Sequence, residues 1–151
     1  MDELYFEDIE VGQSQSSGTH RMTRERIVSF ANEFDPQPQH TSEAAAAATM
    51  FGELVASGWH TGSVTMRLQL DAMMEKFPGG SMGAQLDNVA WLRPVRPDDV
   101  LHVTVEVIGT RESKSRADRG VIKLRTTTFN QRDEPVQTMT ASILVPRRPP
   151  G

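Results

Sequence analysis

Ser57-Gly58-Trp59-His60-Thr61-Gly62-Ser63-Val64-Thr65-Met66-Arg67-Leu68-Gln69-Leu70-Asp71-Ala72-Met73-Met74-Glu75-Lys76-Phe77-Pro78-Gly79-Gly80 is the longest periodic segment of the chain. Trp59, Met66, Leu70, Met73 and Phe77 recur at i, i+7, i+11, i+14 and i+18, and Val64 and Leu68 widen the stripe. That period is helical. Ser57 is placed to cap the segment, and Pro78-Gly79-Gly80 stops it. The spacing predicts one helix of about five turns. Apolar groups cover much of its circumference, which predicts deep burial. Gly62 and Ser63 are small enough for a sheet to approach its first turns.

Beyond Gly83 the period changes to two. Leu101, Val103, Val105 and Val107 alternate with His102, Thr104 and Glu106, the pattern of a half-buried strand. Further strands are expected at 86–92, 121–129 and 136–145, separated by the polar turns 111–119 and 130–135. Upstream, 1–12 is an irregular lead-in. Residues 13–22 form a candidate strand weakened by Ser16-Ser17-Gly18. Thr23 caps a helix over 24–34, where Ile27, Phe30, Ala31 and Phe34 recur at helical spacing. A second short helix is expected after Thr41 or Ser42, with alanines running to Ala48. Two short helices, one long buried helix and a meander of strands give an α+β class: one hotdog domain, its antiparallel sheet wrapped around the long helix. The domain is expected over 1–146, with a flexible tail at 147–151. The open edge of such a sheet favours pairing with a second copy, so a homodimer is expected.

Composition narrows the function classes. A chain of 151 residues fits a single core. The net charge of −4 argues against a protein whose main task is wrapping nucleic acid. The chain has no cysteine, so disulfides, thiolate metal sites and a cysteine nucleophile are excluded. No apolar run approaches the ~20 residues of a membrane helix. Met1-Asp2-Glu3-Leu4-Tyr5-Phe6 is acidic and lacks a signal-peptide core, so a cytoplasmic protein with no membrane partner is expected.

The chemistry concentrates in Phe34-Asp35-Pro36-Gln37-Pro38-Gln39-His40. Proline fixes its own φ and drives the preceding residue out of the helical region. Asp35 and Gln37 should therefore be extended, and 35–41 should be a stiff non-helical loop. It carries a carboxylate and an imidazole, the groups of proton transfer. Taken alone, that spacing fits a backbone-bonded loop histidine at 40 and a turn-forming Asp35 better than catalysis. Gly58, at the start of the long helix, is read two ways: as a source of free N–H groups for an oxyanion, or as a glycine needed only for close packing. Trp59 and Met66 read as core or pocket lining, and His20 and His102 as ordinary surface histidines. No metal-ligand spacing and no Gly-x-Ser-x-Gly elbow is present. Arg93, Arg96, Lys114, Arg116 and Arg119 form the candidate basic patch, with a solvated face as the plainer reading of each.

Phe30-Ala31 followed by Asp35-Pro36-Gln37-Pro38-Gln39-His40 resembles the hydratase motif of MaoC-like dehydratases and R-specific enoyl-CoA hydratases, Asp-x-Asn-Pro-x-His after Phe-Ala. Phe51-Gly52-Glu53-Leu54-Val55-Ala56-Ser57-Gly58-Trp59-His60-Thr61 is similar to that family's entry into its long helix. Trp91-Leu92-Arg93-Pro94-Val95-Arg96-Pro97-Asp98-Asp99 resembles its strand-turn-strand segment, and Phe6-Glu7-Asp8 with Val11-Gly12 its opening. The resemblance spans nearly the whole chain in order. Gln37 stands for the usual Asn, Phe34 for the usual Gly, and Met66 for the serine that enoyl-CoA hydratases carry near their acid.

The resemblance implies reversible hydration of a trans-2-enoyl thioester to a 3-hydroxyacyl thioester. Asp35 and His40 would activate water, and Gly58 and Trp59 would hold the thioester oxygen. Gln37, Ser57, His60 and Met66 are candidate substrate contacts, and Arg93, Arg96, Arg116 and Arg119 candidate contacts to coenzyme A phosphates. No metal and no separate cofactor is implied, since coenzyme A enters with the substrate. Two other readings compete: a hotdog thioesterase, whose acid usually sits on the long helix, and a non-catalytic acyl-thioester-binding subunit. Asp71 and Glu75 are poorly placed for the first of these.

Overall fold

The computed structural model describes residues 2–151. Its sheet is built from β1 (Ser14–Ser16), β2 (His20–Arg21), β3 (Met82–Trp91), β4 (Val100–Glu112), β5 (Arg119–Phe129) and β6 (Pro135–Pro146). The order is β1-β4-β5-β6-β3, with β2 also paired to β4, and every pairing is antiparallel. Between them lie the helices α1 (Arg24–Phe34), α2 (Pro38–Thr41), α3 (Glu43–Ala46) and α4 (Gly58–Ala72). The alternation in β4 and β6 buries Leu101, Val103, Val105, Val107, Val136, Ile143 and Val145 on one face, and α4 lies against β4 and β5 on that face. This is the expected α+β hotdog architecture.

The candidate strand at 13–22 is two short strands, broken at Ser17-Gly18-Thr19, where the Ser17 hydroxyl accepts the Val103 N–H. β4 runs through Glu112 and β5 begins at Arg119, so the turn between them is shorter than its polar sequence suggested. β3 begins earlier than expected and forms one edge of the sheet. Its register shifts between Asp87 and Ala90, where Asn88 adopts a positive φ of 56°; asparagine tolerates that region and bulges favour it. After β6, Arg147 pairs with Glu7, and Arg148 with Asp8, against the rings of Phe6 and Tyr5.

α4 departs from expectation in length and in face. It ends at Ala72; Met73 leaves the helix at φ −153°, and Met74–Lys76 make one 3-10 turn. Its buried residues are His60, Thr61, Val64, Thr65, Leu68 and Gln69. Trp59 and Met66, on the predicted apolar stripe, are instead 61% and 40% exposed. The sheet side of α4 is mixed because its polar members find partners there. Thr65 Oγ1 bonds Thr128 Oγ1 at 2.6 Å, Gln137 Nε2 donates to Thr65 Oγ1 at 3.2 Å, and Thr126 donates to Gln69 Oε1. A buried polar group that is hydrogen-bonded costs little, whereas an orphaned one is expensive. The network therefore lets Thr65 and Gln69 occupy core positions. Gln69→Leu leaves the buried Thr126 hydroxyl without its acceptor, and urea denaturation should show a loss of about 1–3 kcal/mol.

Candidate active site

α1 ends at Phe34, and the Asp35 N–H still donates to Ala31 O at 2.8 Å. Asp35 itself has left the helix, at φ −151° and ψ 67°, and Gln37 is extended as Pro38 requires. Pro38 then opens the single turn α2, so the segment is not the wholly non-helical loop expected. Proline suits the first helical position, because the N–H it lacks would be unbonded there. That turn carries His40 into the protein, where it is buried.

Three contacts orient the pair. His40 Nδ1 lies 2.7 Å from Val55 O. A carbonyl only accepts, so Nδ1 carries a proton, and Nε2 is the ring nitrogen turned toward Asp35. Nε2 stands 3.5 Å from Asp35 Oδ2. The same oxygen accepts the Ser57 hydroxyl at 2.7 Å, and Asp35 Oδ1 accepts Gln37 Nε2 at 2.7 Å. The Gln37 hydrogen bond first, then that of Ser57, outweigh burial and hold the Asp35 carboxyl below the usual carboxylate range.

Ser57 occupies the cap position of α4, yet its side chain caps nothing; it points to Asp35. No hydrogen bond ties down the N–H of Gly58 or Trp59. These donors open the helix at its positive end. Asp35, Gln37, His40, Gly58, Trp59 and the apolar Phe51, Val55 and Trp91 line one cavity of about 390 Å3. The Trp91 ring lies directly on Gly58, where an added Cβ would come within 2.6 Å of it. Close packing alone thus requires a glycine there, alongside any role of its N–H.

Other predicted residues are placed elsewhere. Met66 lines an adjoining apolar groove with Trp59, Leu86, Val89, Trp91 and Met139. His60 faces away from the cavity, into a cleft between α1 and α4. Arg93 lines the cavity while donating to Pro135 O at 2.8 Å. Arg96 is paired with Glu53, and Arg116 and Arg119 with Asp118. His102 is no free surface group: it stacks on Phe129 at 5.2 Å. Trp91 and Val55 were not singled out by sequence as site residues. The Val55 contribution is a carbonyl, which no side-chain motif reveals; Trp91 was signalled only by its place in the strand-turn-strand segment. Among the described residues no group of three or more metal-ligating side chains is gathered, and no helix is long and apolar enough to cross a membrane.

Comparison with known proteins finds relatives of the same fold. A crystal structure of a MaoC-like dehydratase from Rhodospirillum rubrum superposes with a TM-score of 0.90 at 44% identity, covering 97% of this chain and 99% of that one. The (R)-hydratase of A. caviae involved in PHA biosynthesis superposes with a TM-score of 0.73 at 25% identity, over 93% and 98% of the two chains. The 3-hydroxybutyryl-CoA dehydratase of Methylorubrum extorquens is 31% identical over 115 residues, 76% of this chain and 70% of that protein. A sequence profile of the MaoC like domain matches residues 8–129, and the chain belongs to that family.

Proposed function

We propose that the protein is a hydratase/dehydratase that interconverts a trans-2-enoyl thioester of coenzyme A and the 3-hydroxyacyl thioester. The observation that carries this reading is the 3.5 Å approach of His40 Nε2 to Asp35 Oδ2 in the cavity that holds the open N–H groups of Gly58 and Trp59. With Nε2 unprotonated, both side-chain atoms are acceptors, and one water can donate to both. As the thioester oxygen takes on enolate charge, the helix-end donors stabilise it. The water oxygen bonds C3, one of its O–H bonds breaks, and the pair hands a proton to Cα. Both groups end as they began, and the sum is addition of water. Ser57 and Gln37 hold the carboxylate in place, and Val55 O holds the ring. The two hydrogen bonds to Asp35 supply orientation at a site where the family's usual helix serine is Met66.

The exposed edge supports a second proposal of assembly. β3 and the residue after it leave Met82, Leu86, Trp91 and Leu92 exposed, as are Trp59 and Met66 on α4. An apolar open edge of this kind is a pairing surface, and we infer that a second copy of the chain covers it.

Purified protein should consume the enoyl absorbance of crotonyl-CoA without releasing free thiol. Thiol release would establish the thioesterase reading instead, and neither signal across several acyl groups the binding-subunit reading. Asp35→Asn and His40→Ala should each lower turnover by about 100-fold or more with circular dichroism unchanged. Ser57→Ala removes a hydrogen bond that favours the charged carboxylate, so the Asp35 pKa should rise. The acid limb of the kcat/KM profile should then move to higher pH, whereas a purely structural serine would leave the limb in place. Sedimentation should give twice the 16.8 kDa chain mass, with Leu86→Lys shifting the protein toward monomer.

A further inference from the structure

We propose that the cleft between α1 and α4, on the far side of α4 from the Asp35 cavity, is a binding site for a phosphate group. Facing stripes of the two helices form its walls, with Arg26, Phe30 and Glu33 on α1 and His60 and Arg67 on α4, and His20 of β2 completes it. The cleft is open to solvent and has a volume of about 370 Å3. This inference does not depend on the hydratase reading.

Two independent anomalies coincide here. Among the described residues, Arg26 and Arg111 are the arginines with no carboxylate within 4.0 Å; the others are paired. His60 Nδ1 is the sole buried side-chain nitrogen or oxygen without a hydrogen-bond partner among the described residues. The His60 ring is only 7% exposed and is stacked on Phe30, with centroids 4.8 Å apart and planes 7° from parallel. A buried polar group left orphaned in an otherwise satisfied protein calls for a physical reason. Burial first, then the charges of His20 and Arg26, push the His60 pKa down to about 4. The imidazole is therefore neutral at working pH, and it can present one N–H as a donor. Burial and Arg26 lower the pKa of His20 in the same direction. The cleft thus brings together two arginines and two histidines, of which Arg26 has no carboxylate within 4.0 Å.

Two groups on or beside the cleft bear negative charge. Asp71 lies 3.3 Å from Arg67 in a pair that is 70% exposed on the arginine side, weak enough for a competing anion to draw Arg67 away. Glu33 lines the cleft but lies within 4.0 Å of neither arginine. A phosphate would accept from the planar fork of Arg26, from Arg67, and from a ring N–H of His20 and of His60, in the latter at Nε2, because Nδ1 is closed to solvent. Two sources share this chemistry: free phosphate, and the nucleotide end of coenzyme A.

The test is a titration of 15N-histidine-labelled protein, followed by side-chain NMR. The probes are inorganic phosphate and adenosine 3′,5′-bisphosphate. Each should shift the His20 and His60 ring signals saturably, and inorganic phosphate should leave His40 in place. Arg26 is exposed, so Arg26→Gln should fold, and it should weaken binding by about tenfold or more; Arg67→Gln is the second variant, with the same expected direction. Bisphosphate binding tighter than phosphate assigns the site to the coenzyme. Equal affinities assign it to a free anion. The proposal is overturned if neither probe shifts His60 at up to about 10 mM, or if Arg26→Gln and Arg67→Gln both bind as the wild type does.

Discussion

The site hangs on the three residues that lead into α4. Val55 donates its N–H to Gln39 O at 2.9 Å and accepts from the His40 ring. Ala56 donates to Val95 O at 2.8 Å, and the Ser57 hydroxyl reaches Asp35. These bonds stitch the proline-braced bend, the head of the long helix and the turn after β3 into one unit. Each bond is modest, about 1 kcal/mol for a neutral pair and more where a carboxylate accepts. Their effect is geometric: they hold the Asp35 and His40 side chains beside a helix terminus. Proline contributes by leaving the bend few alternative conformations.

Much of this was legible in the chain. The change from helical to alternating period after Gly83 reports the single physical difference between a helix against a sheet and a strand within one. The prolines around Gln37 announced that α1 must stop and that Asp35 must stand outside it. Pro38 also shows the limit of such reading. The same residue ends one helix and begins another, and only the surroundings decide whether the turn after it closes. Here the His40 N–H bonds Gln37 O at 3.0 Å, and the buried ring fixes the turn.

The face of α4 was misread for a related reason. Counting apolar residues assumes that burial follows hydrophobicity, but a helix is oriented by the sum of what its sides can satisfy. Thr65, Gln69 and the strand residues Thr126, Thr128 and Gln137 complement one another, and such partners lie too far apart in sequence for periodicity to link them. The network continues to the site, since Trp91 Nε1 donates to Gln137 Oε1 at 2.8 Å. The indole that covers Gly58 is therefore held from the interior. Trp59 and Met66, displaced from the core, become part of the apolar surface along β3.

Charge was the property least readable from sequence, because its effect depends on pairing. Arg93, Arg96, Arg116 and Arg119 stand out in the chain as a basic group, yet in the fold each has a carboxylate within reach. A paired surface arginine projects little field, and salt screens what remains. Arg26 is inconspicuous in sequence, following Glu25 in the first turn of an amphipathic helix. In the fold it lines a cleft with a second arginine and two histidines, and no carboxylate lies within 4.0 Å of it. For a protein that is acidic as a whole, attraction for a phosphate group depends on where positive charge is left uncompensated, and that is a property of contacts alone.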